Sequence, residues 1–184
     1  SEARPKIGFE LRIWQTKDTE YWESYGCKRE LVVDANIWPI KTIIIDNGQN
    51  IVKKPADEYA YAFVENKEGK QSVKIYQPFN KDGWKWRSSH DKSVLALWTL
   101  LPESGDIVVI CSSVKDAICL TSQTGIPAIA VQGEGMDVSN TAMNILKKRF
   151  SIVCVCFDSD DAGVANAQKL SKKHGITNIE LPHY

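Results

Sequence analysis

The run Phe157-Asp158-Ser159-Asp160-Asp161-Ala162-Gly163 concentrates three carboxylates immediately after the apolar segment Ser151-Ile152-Val153-Cys154-Val155-Cys156. A short apolar, β-branched run bounded by turn signals reads as a buried parallel strand. In open α/β sheets, sites form outside the carboxyl ends of such strands. Asp158 and Asp160 are two apart, so both can turn toward one side as the strand ends. An oxygen-only donor set of this kind suits Mg²⁺ (or Mn²⁺), which takes one or two carboxylates plus substrate phosphates. The competing reading is that Asp160 or Asp161 caps a helix beginning near Ala162. Capping needs one such residue, not three.

A second constellation is Cys111-Ser112-Ser113-Val114-Lys115-Asp116. Two hydroxyls and the open N–H groups of a helix amino-terminus, beside Lys115, make an anion site; Ser112, Ser113 and Lys115 are then phosphate ligands. The plainer reading is an N-cap. Asp116, in the first turn, is favoured there by the helix dipole, and it is also placed to face Asp158 and Asp160 from an adjacent strand. Glu134, in Gln132-Gly133-Glu134-Gly135, follows another strand at the same sheet edge and is a further candidate acid/base. His90, His174 and His183 are isolated and receive no role.

The third signal lies between Lys67 and Lys92, where seven basic residues face three acidic ones. Tyr76, Phe79, Trp84 and Trp86 are interleaved with them. Positive charge along a backbone with aromatic faces for stacking is the chemistry of single-strand binding. Lys74, Tyr76, Lys85, Trp86 and Arg87 are the candidates, and the i,i+2 pairs Lys74 with Tyr76 and Lys85 with Arg87 each share a strand face. A solvated strand face over an aromatic core would give the same composition.

These residues sit in a chain of 184 residues with 23 basic and 23 acidic side chains. That is enough for one domain or two small ones. Five cysteines, none in a C-x-x-C pair, exclude a zinc ribbon and favour a reducing intracellular compartment. No segment approaches the roughly 18 apolar residues of a membrane span, and no signal peptide is visible. The ends, Ser1-Glu2-Ala3 and Pro182-His183-Tyr184, read as those of a piece cut from a longer protein.

From Ile107 onward, strands (Ile107–Cys111, Pro127–Val131, Ser151–Phe157, Ile176–Leu181) alternate with helices (Val114–Gln123, Asn140–Phe150, Ala162–His174). This alternation predicts βαβ units and a parallel sheet with helices on both faces, the strand Ser151–Phe157 being central. The first half reads as α+β. It has helices over Asp18–Gly26 and Lys28–Asn36, a strand Ile40–Asp46, a hairpin of Tyr59–Glu65 with Gln71–Gln77, and a further strand Trp84–Ser88. The boundary falls near Leu101–Asp106, giving an amino-terminal subdomain over 1–105 and an α/β domain over 106–184.

Residues 106–181 resemble a TOPRIM domain, the fold shared by bacterial-type primases, topoisomerases and some nucleases. The resemblance rests on Asp158-Ser159-Asp160 followed by Asp161-Ala162-Gly163, similar to the Asp-x-Asp-x-Ala-Gly form of phage and bacterial primases. Trp22-Glu23-Ser24-Tyr25-Gly26 and Val73-Lys74-Ile75-Tyr76-Gln77-Pro78-Phe79 resemble the amino-terminal part of a primase RNA-polymerase region. Aligned on Asp116, the family's first-motif Glu, a general acid/base or metal ligand there, falls on Ser112. The resemblance implies a primase-type core that synthesises RNA primers from nucleoside triphosphates on a single-stranded DNA template. It implies Mg²⁺ on Asp158 and Asp160, and action beside a replicative helicase (of the same polypeptide or another) in the cytoplasm of a bacterium or phage-infected host, away from membranes. Two other functions fit the same resemblance: a degenerate TOPRIM module that binds DNA or nucleotides without turnover, and a TOPRIM nuclease.

Overall fold

The computed structural model describes residues 5–67, 70–89, 94–133, 135 and 137–182. The chain divides into two compact units, one formed by residues 1–24 and 29–91 and the other by residues 25–28 and 92–184.

The first unit runs β1 (Lys6–Leu11), α1 (Thr16–Ser24), α2 (Arg29–Asp34), β2 (Ile37–Asp46), β3 (Ile51–Pro55), β4 (Tyr61–Lys67), β5 (Lys70–Tyr76) and β6 (Trp86–Ser88). All pairings are antiparallel, in the order β1-β2-β4-β5-β6, with β3 also on β2. The ten residues of β2 are shared out. Ile37–Pro39 pair with β4, while Thr42–Asp46 pair with β3. One face of the sheet carries an aliphatic core of Ile40, Ile43, Ala62, Val64, Val73 and Ile75, against which Trp84 packs. The other carries rings: Tyr21 stacks on Tyr61 at 5.6 Å, Trp22 meets Tyr61 edge-on, and Tyr76 stacks on Trp86 at 4.1 Å.

Asp18 is wholly buried beneath those rings. Arg12 grips it with two hydrogen bonds of 2.6 and 2.7 Å, the Tyr61 hydroxyl donates at 2.7 Å, and the Gln15 N–H donates at 2.9 Å. A buried charge is tolerated only when paired and hydrogen-bonded in this way. Burial pushes the Asp18 carboxyl up, and these four donors more than offset it, so the group lies below its ordinary range.

The second unit runs β7 (Gly105–Cys111), α3 (Val114–Thr124), β8 (Ala128–Ala130), α4 (Asn140–Arg149), β9 (Phe150–Cys156), α5 (Asp161–His174) and β10 (Thr177–Asn178). Its four strands are parallel, in the order β10-β9-β7-β8. β9 therefore has a neighbour on each side; Val153 and Val155 are buried on one face and Cys154 on the other, while Ile152 is 50% exposed. Val108, Ile110, Val153 and Val155 form one core with Met143 and Leu146 of α4 and Ala167 and Leu170 of α5. Val114, Ala117 and Ile118 of α3 are buried outside that cluster. Ser113, Ser139 and Asp160 cap the helix starts, and Gly125 and Gly175 close α3 and α5 with φ of 73° and 62°.

Residues 25–28 act as a strap on α3. The Gln123 side chain donates to the Gly26 carbonyl at 2.8 Å, and the Lys28 N–H donates to the Ser122 hydroxyl at 3.0 Å. The buried Cys27 thiol donates to the Lys115 carbonyl at 3.4 Å. Gly26 has φ of 73°, and a Cβ there would stand 3.0 Å from the Cys119 sulfur.

Two strands of the first unit, β1 and β3, were not expected. The last strand is two residues rather than the expected six, because only Thr177 and Asn178 pair with β9 before the chain leaves the edge.

Candidate functional site

β7 and β9 run in register, with Cys111 opposite Cys156. Ser112 and Phe157 are therefore the next residues to leave the sheet, at the same carboxyl edge. Asp158 follows from β9, and Asp116 stands in the first turn of α3, so both carboxylates belong to one end of the sheet. The thiols beneath record this. Burial is the main cause that pushes Cys111 up, and the charges of Asp116, Cys156 and Asp158 push it further. Cys156 is raised by burial and then by Asp116 and Asp158. Both thiols stay protonated near neutrality, so the ligands on offer at this edge are oxygens alone. That set fits a hard cation such as Mg²⁺ or Mn²⁺. Among the described residues no three His, Cys, Asp or Glu side chains are arranged as a ready-made metal cage. Mg²⁺ needs none, since waters and substrate phosphates complete its octahedron.

Asp160 has a structural duty. Its Oδ1 accepts from the Gly163 N–H at 2.7 Å, capping α5, and its Oδ2 points to no partner among the described residues. Asp161 is the first residue of α5 and exposed. Gly163 has a packing role: a Cβ there would stand 2.2 Å from the Asp158 carbonyl oxygen. Only glycine lets the first turn of α5 lie this close to the end of β9.

At Ser112 and Ser113 the geometry favours the capping reading over the phosphate reading. The Ser113 hydroxyl accepts from the Asp116 N–H at 3.2 Å and donates to its Oδ2 at 2.5 Å. Ser112 Oγ lies 3.4 Å from the same oxygen. A phosphate at these hydroxyls would meet the Asp116 carboxylate. Lys115 stands over the Tyr25 ring, its Nζ 3.8 Å from the centroid. Glu134 lies outside the described residues.

The basic and aromatic residues of the first unit divide between two faces. Lys74 pairs with Ser88, Ile75 with Arg87 and Tyr76 with Trp86. Paired residues point the same way, so Lys74, Tyr76 and Trp86 share one face and Arg87 takes the other. The basic and aromatic residues around β5 and β6 thus lie on two faces of the sheet. On the first face Tyr76 is buried, its hydroxyl 3.1 Å from that of Tyr21, which makes it a core ring rather than a surface stacker. Trp86 lies over it, 41% exposed, with Lys74 Nζ 4.3 Å from its centroid. Burial pulls the Lys74 ammonium down. On the second face Arg87 stands 4.4 Å over Trp84, where Lys54 also stands, at 4.0 Å. Lys54 went unassigned in the sequence because β3 was not recognised as a strand. Lys85 is exposed and precedes β6, so it shares no strand face with Arg87. Lys67, Lys70 and Lys92 have side chains outside the described residues.

Residues 109–182 match the model of the Toprim-like family. No curated protein matches the sequence. Among solved structures, the DnaG catalytic core superposes with a TM-score of 0.67 at 14% identity, over 91% of this chain and 65% of that one. A DnaG primase catalytic domain bound to ssDNA gives 0.66 at 14% identity, over 91% and 66%. The primase fragment of the bacteriophage T7 primase-helicase protein gives 0.52 at 14% identity, over 95% and 70%. The chain thus spans somewhat less than two thirds of the length of the two DnaG structures. Residues 109–182 form a Toprim-like domain, carried in a chain that has the fold of the bacterial and phage primase catalytic core.

Proposed function

We propose that this chain is a primase-type core that synthesises RNA primers on single-stranded DNA from nucleoside triphosphates. The observation that carries the reading is the meeting of Asp116 and Asp158 at the carboxyl edge of β7 and β9, in a chain with the primase fold. Asp158, Asp116 and the Asp160 oxygen that has no partner among the described residues are the proposed holders of Mg²⁺ or Mn²⁺. The metal would supply neutralisation of the charge on the triphosphate. Asp158 and Asp116 set its place at the sheet edge, and the Asp160 cap together with Gly163 fixes the turn that presents Asp158. Single-stranded DNA is the proposed ligand of the first unit, through Arg87 and Lys85 or through Lys74 and Trp86. The ssDNA held by the related DnaG domain supports this. The primase-helicase nature of the T7 relative supports a replicative helicase as partner or as part of the same polypeptide. The proposed place of action is the bacterial or phage-infected cytoplasm. Among the described residues no helix is long and apolar enough to cross a membrane.

Ser112 stands where the resemblance places a Glu, so proton transfer falls to another group, Glu134 being the candidate by sheet-edge position. The test is incorporation of labelled ribonucleotides on single-stranded templates with Mg²⁺ or Mn²⁺. Wild type is expected to give slow synthesis, Asp158→Ala with Asp160→Ala none, and Ser112→Glu a rate equal to or above wild type. A second reading, binding without turnover, is favoured by the Ser112 and Ser113 hydroxyls lying on Asp116 with no added acid there. No incorporation by wild type or by Ser112→Glu, with nucleotide still bound, would establish it instead. Metal-dependent cleavage of the template by wild type would replace both with a nuclease.

A further inference from the structure

Lys54, Trp84 and Arg87 form a group that the sequence does not bring together. They come from β3, from the segment between β5 and β6, and from β6. Lys54 Nζ and Arg87 Cζ both stand over one indole, at 4.0 and 4.4 Å. The two cations are therefore no further apart than the sum of those distances, within the reach of one phosphate or two successive ones. Among the described residues neither pairs with a carboxylate. Two like charges this close raise the local positive potential, which favours an anion beside them.

The residue that carries the indole is fixed through its backbone. Gln77 is 1% exposed. It accepts from the Asp57 N–H at 2.7 Å and donates to the Trp84 carbonyl at 3.0 Å. Asn80 accepts from the Trp84 N–H at 2.8 Å and donates to Asp57 at 2.8 Å. Both backbone polar groups of Trp84 are thus held by side chains, one of them deeply buried. Ligand sites built this way lose little entropy on binding.

We infer that Lys54 and Arg87, spaced by Trp84, clamp the phosphodiester backbone of a single-stranded nucleic acid, so that the strand runs over the Arg87 face of β5 and β6 rather than the Lys74–Trp86 face. The inference rests on the proposed single-strand binding by the first unit and says which face performs it. The Lys74 face is the poorer of the two. Its lysine is partly buried with Glu65 acting on it as a competing carboxylate, and Tyr76 is inside the core.

The test is fluorescence anisotropy of a labelled oligonucleotide with the whole chain, titrated at several salt concentrations, with circular dichroism to check that each variant is folded. Each lost phosphate contact removes about 0.7 from the log–log salt slope, so Lys54→Ala with Arg87→Ala should lower the slope by about 1.4 and weaken binding about 25-fold at 0.1 M salt. Lys54→Arg with Arg87→Lys should keep the slope. Lys74→Ala with Trp86→Ala should stay within about twofold of wild type. An unchanged slope in the first pair, with the loss appearing in the Lys74 and Trp86 pair, overturns the inference and leaves the proposed function standing. Wild type that binds no single strand overturns both.

Discussion

Replacing Gly163 by alanine sets two effects of opposite sign against each other. In an open helix the change is favourable by about 0.8–1 kcal/mol, because alanine loses less backbone entropy. Here the new methyl would stand 2.2 Å from the Asp158 carbonyl oxygen and 2.9 Å from its carbon, against 3.4 Å or more for ordinary contact. Both are backbone atoms at the end of a buried strand, so no rotamer change relieves the clash. Either α5 or the end of β9 must move by about 1 Å. Such overpacking costs about 1–3 kcal/mol, and the shift also pulls the Gly163 N–H from Asp160, a cap worth about 1 kcal/mol. The net expectation is a loss of about 2 kcal/mol in the unit carrying α5, read from urea unfolding followed by circular dichroism and from hydrogen exchange of α5 amides. Calorimetry should show Mn²⁺ affinity falling alongside, since the turn presenting Asp158 has moved. A Gly163→Ala chain as stable as wild type or more so, with unaltered exchange in α5, would refute the close approach and with it the reason for glycine in the motif.

The Asp18 network makes the first unit acid-sensitive. The folded carboxyl lies below its unfolded range, so its contribution is fully present above about pH 4 and is lost as pH falls through the folded value. Asp18→Asn should weaken the unit at neutral pH by about 3–5 kcal/mol and flatten its acid transition, as measured by thermal melts across pH. Burial pushes the Cys27 thiol up to about 12 and Cys111 up as well, so iodoacetamide at pH 8 should leave both unlabelled in the folded chain and reach them only after unfolding, by mass spectrometry. Gly26→Ala should destabilise the second unit by about 1–2 kcal/mol, since the residue has positive φ and the new methyl meets Cys119; equal melting temperatures would contradict this.

The second unit was largely legible. Its strands and helices announce themselves by period, its N-caps are Ser and Asp, its C-caps Gly, and Val153, Cys154 and Val155 are buried within the apolar run. The first unit was less so, and each reason is local. β1 contains Gly8, packed against Ile44, which breaks the alternation that marks a strand. β3 is Ile-Val-Lys-Lys-Pro, an edge strand with most residues exposed, so no buried face imposes a pattern. Which faces the basic residues take was not readable, because spacing within one strand says nothing of the register with its neighbour, and that register sends Arg87 and Lys74 to opposite faces. At the candidate site the Asp-x-Asp spacing was readable. The capping duty of Asp160, the engagement of both serines with Asp116, and the closeness that demands Gly163 are facts of packing.

The strap at residues 25–28 bears on how the chain is made. It emerges from the ribosome about 90 residues before the helix it is bonded to, and the strands that complete the first unit are synthesised in between. Until α3 appears, Cys27 has no burial partner and the Gly26 carbonyl no donor from Gln123. The first unit must therefore close around a loop that is still unfinished. Severing the chain at residue 91 does not yield two whole units either: the downstream piece lacks its strap, and the upstream piece carries four residues whose partners are elsewhere. Fragments meant to fold alone would need Tyr25–Lys28 moved to the other side of the cut, a permutation of the chain rather than a truncation.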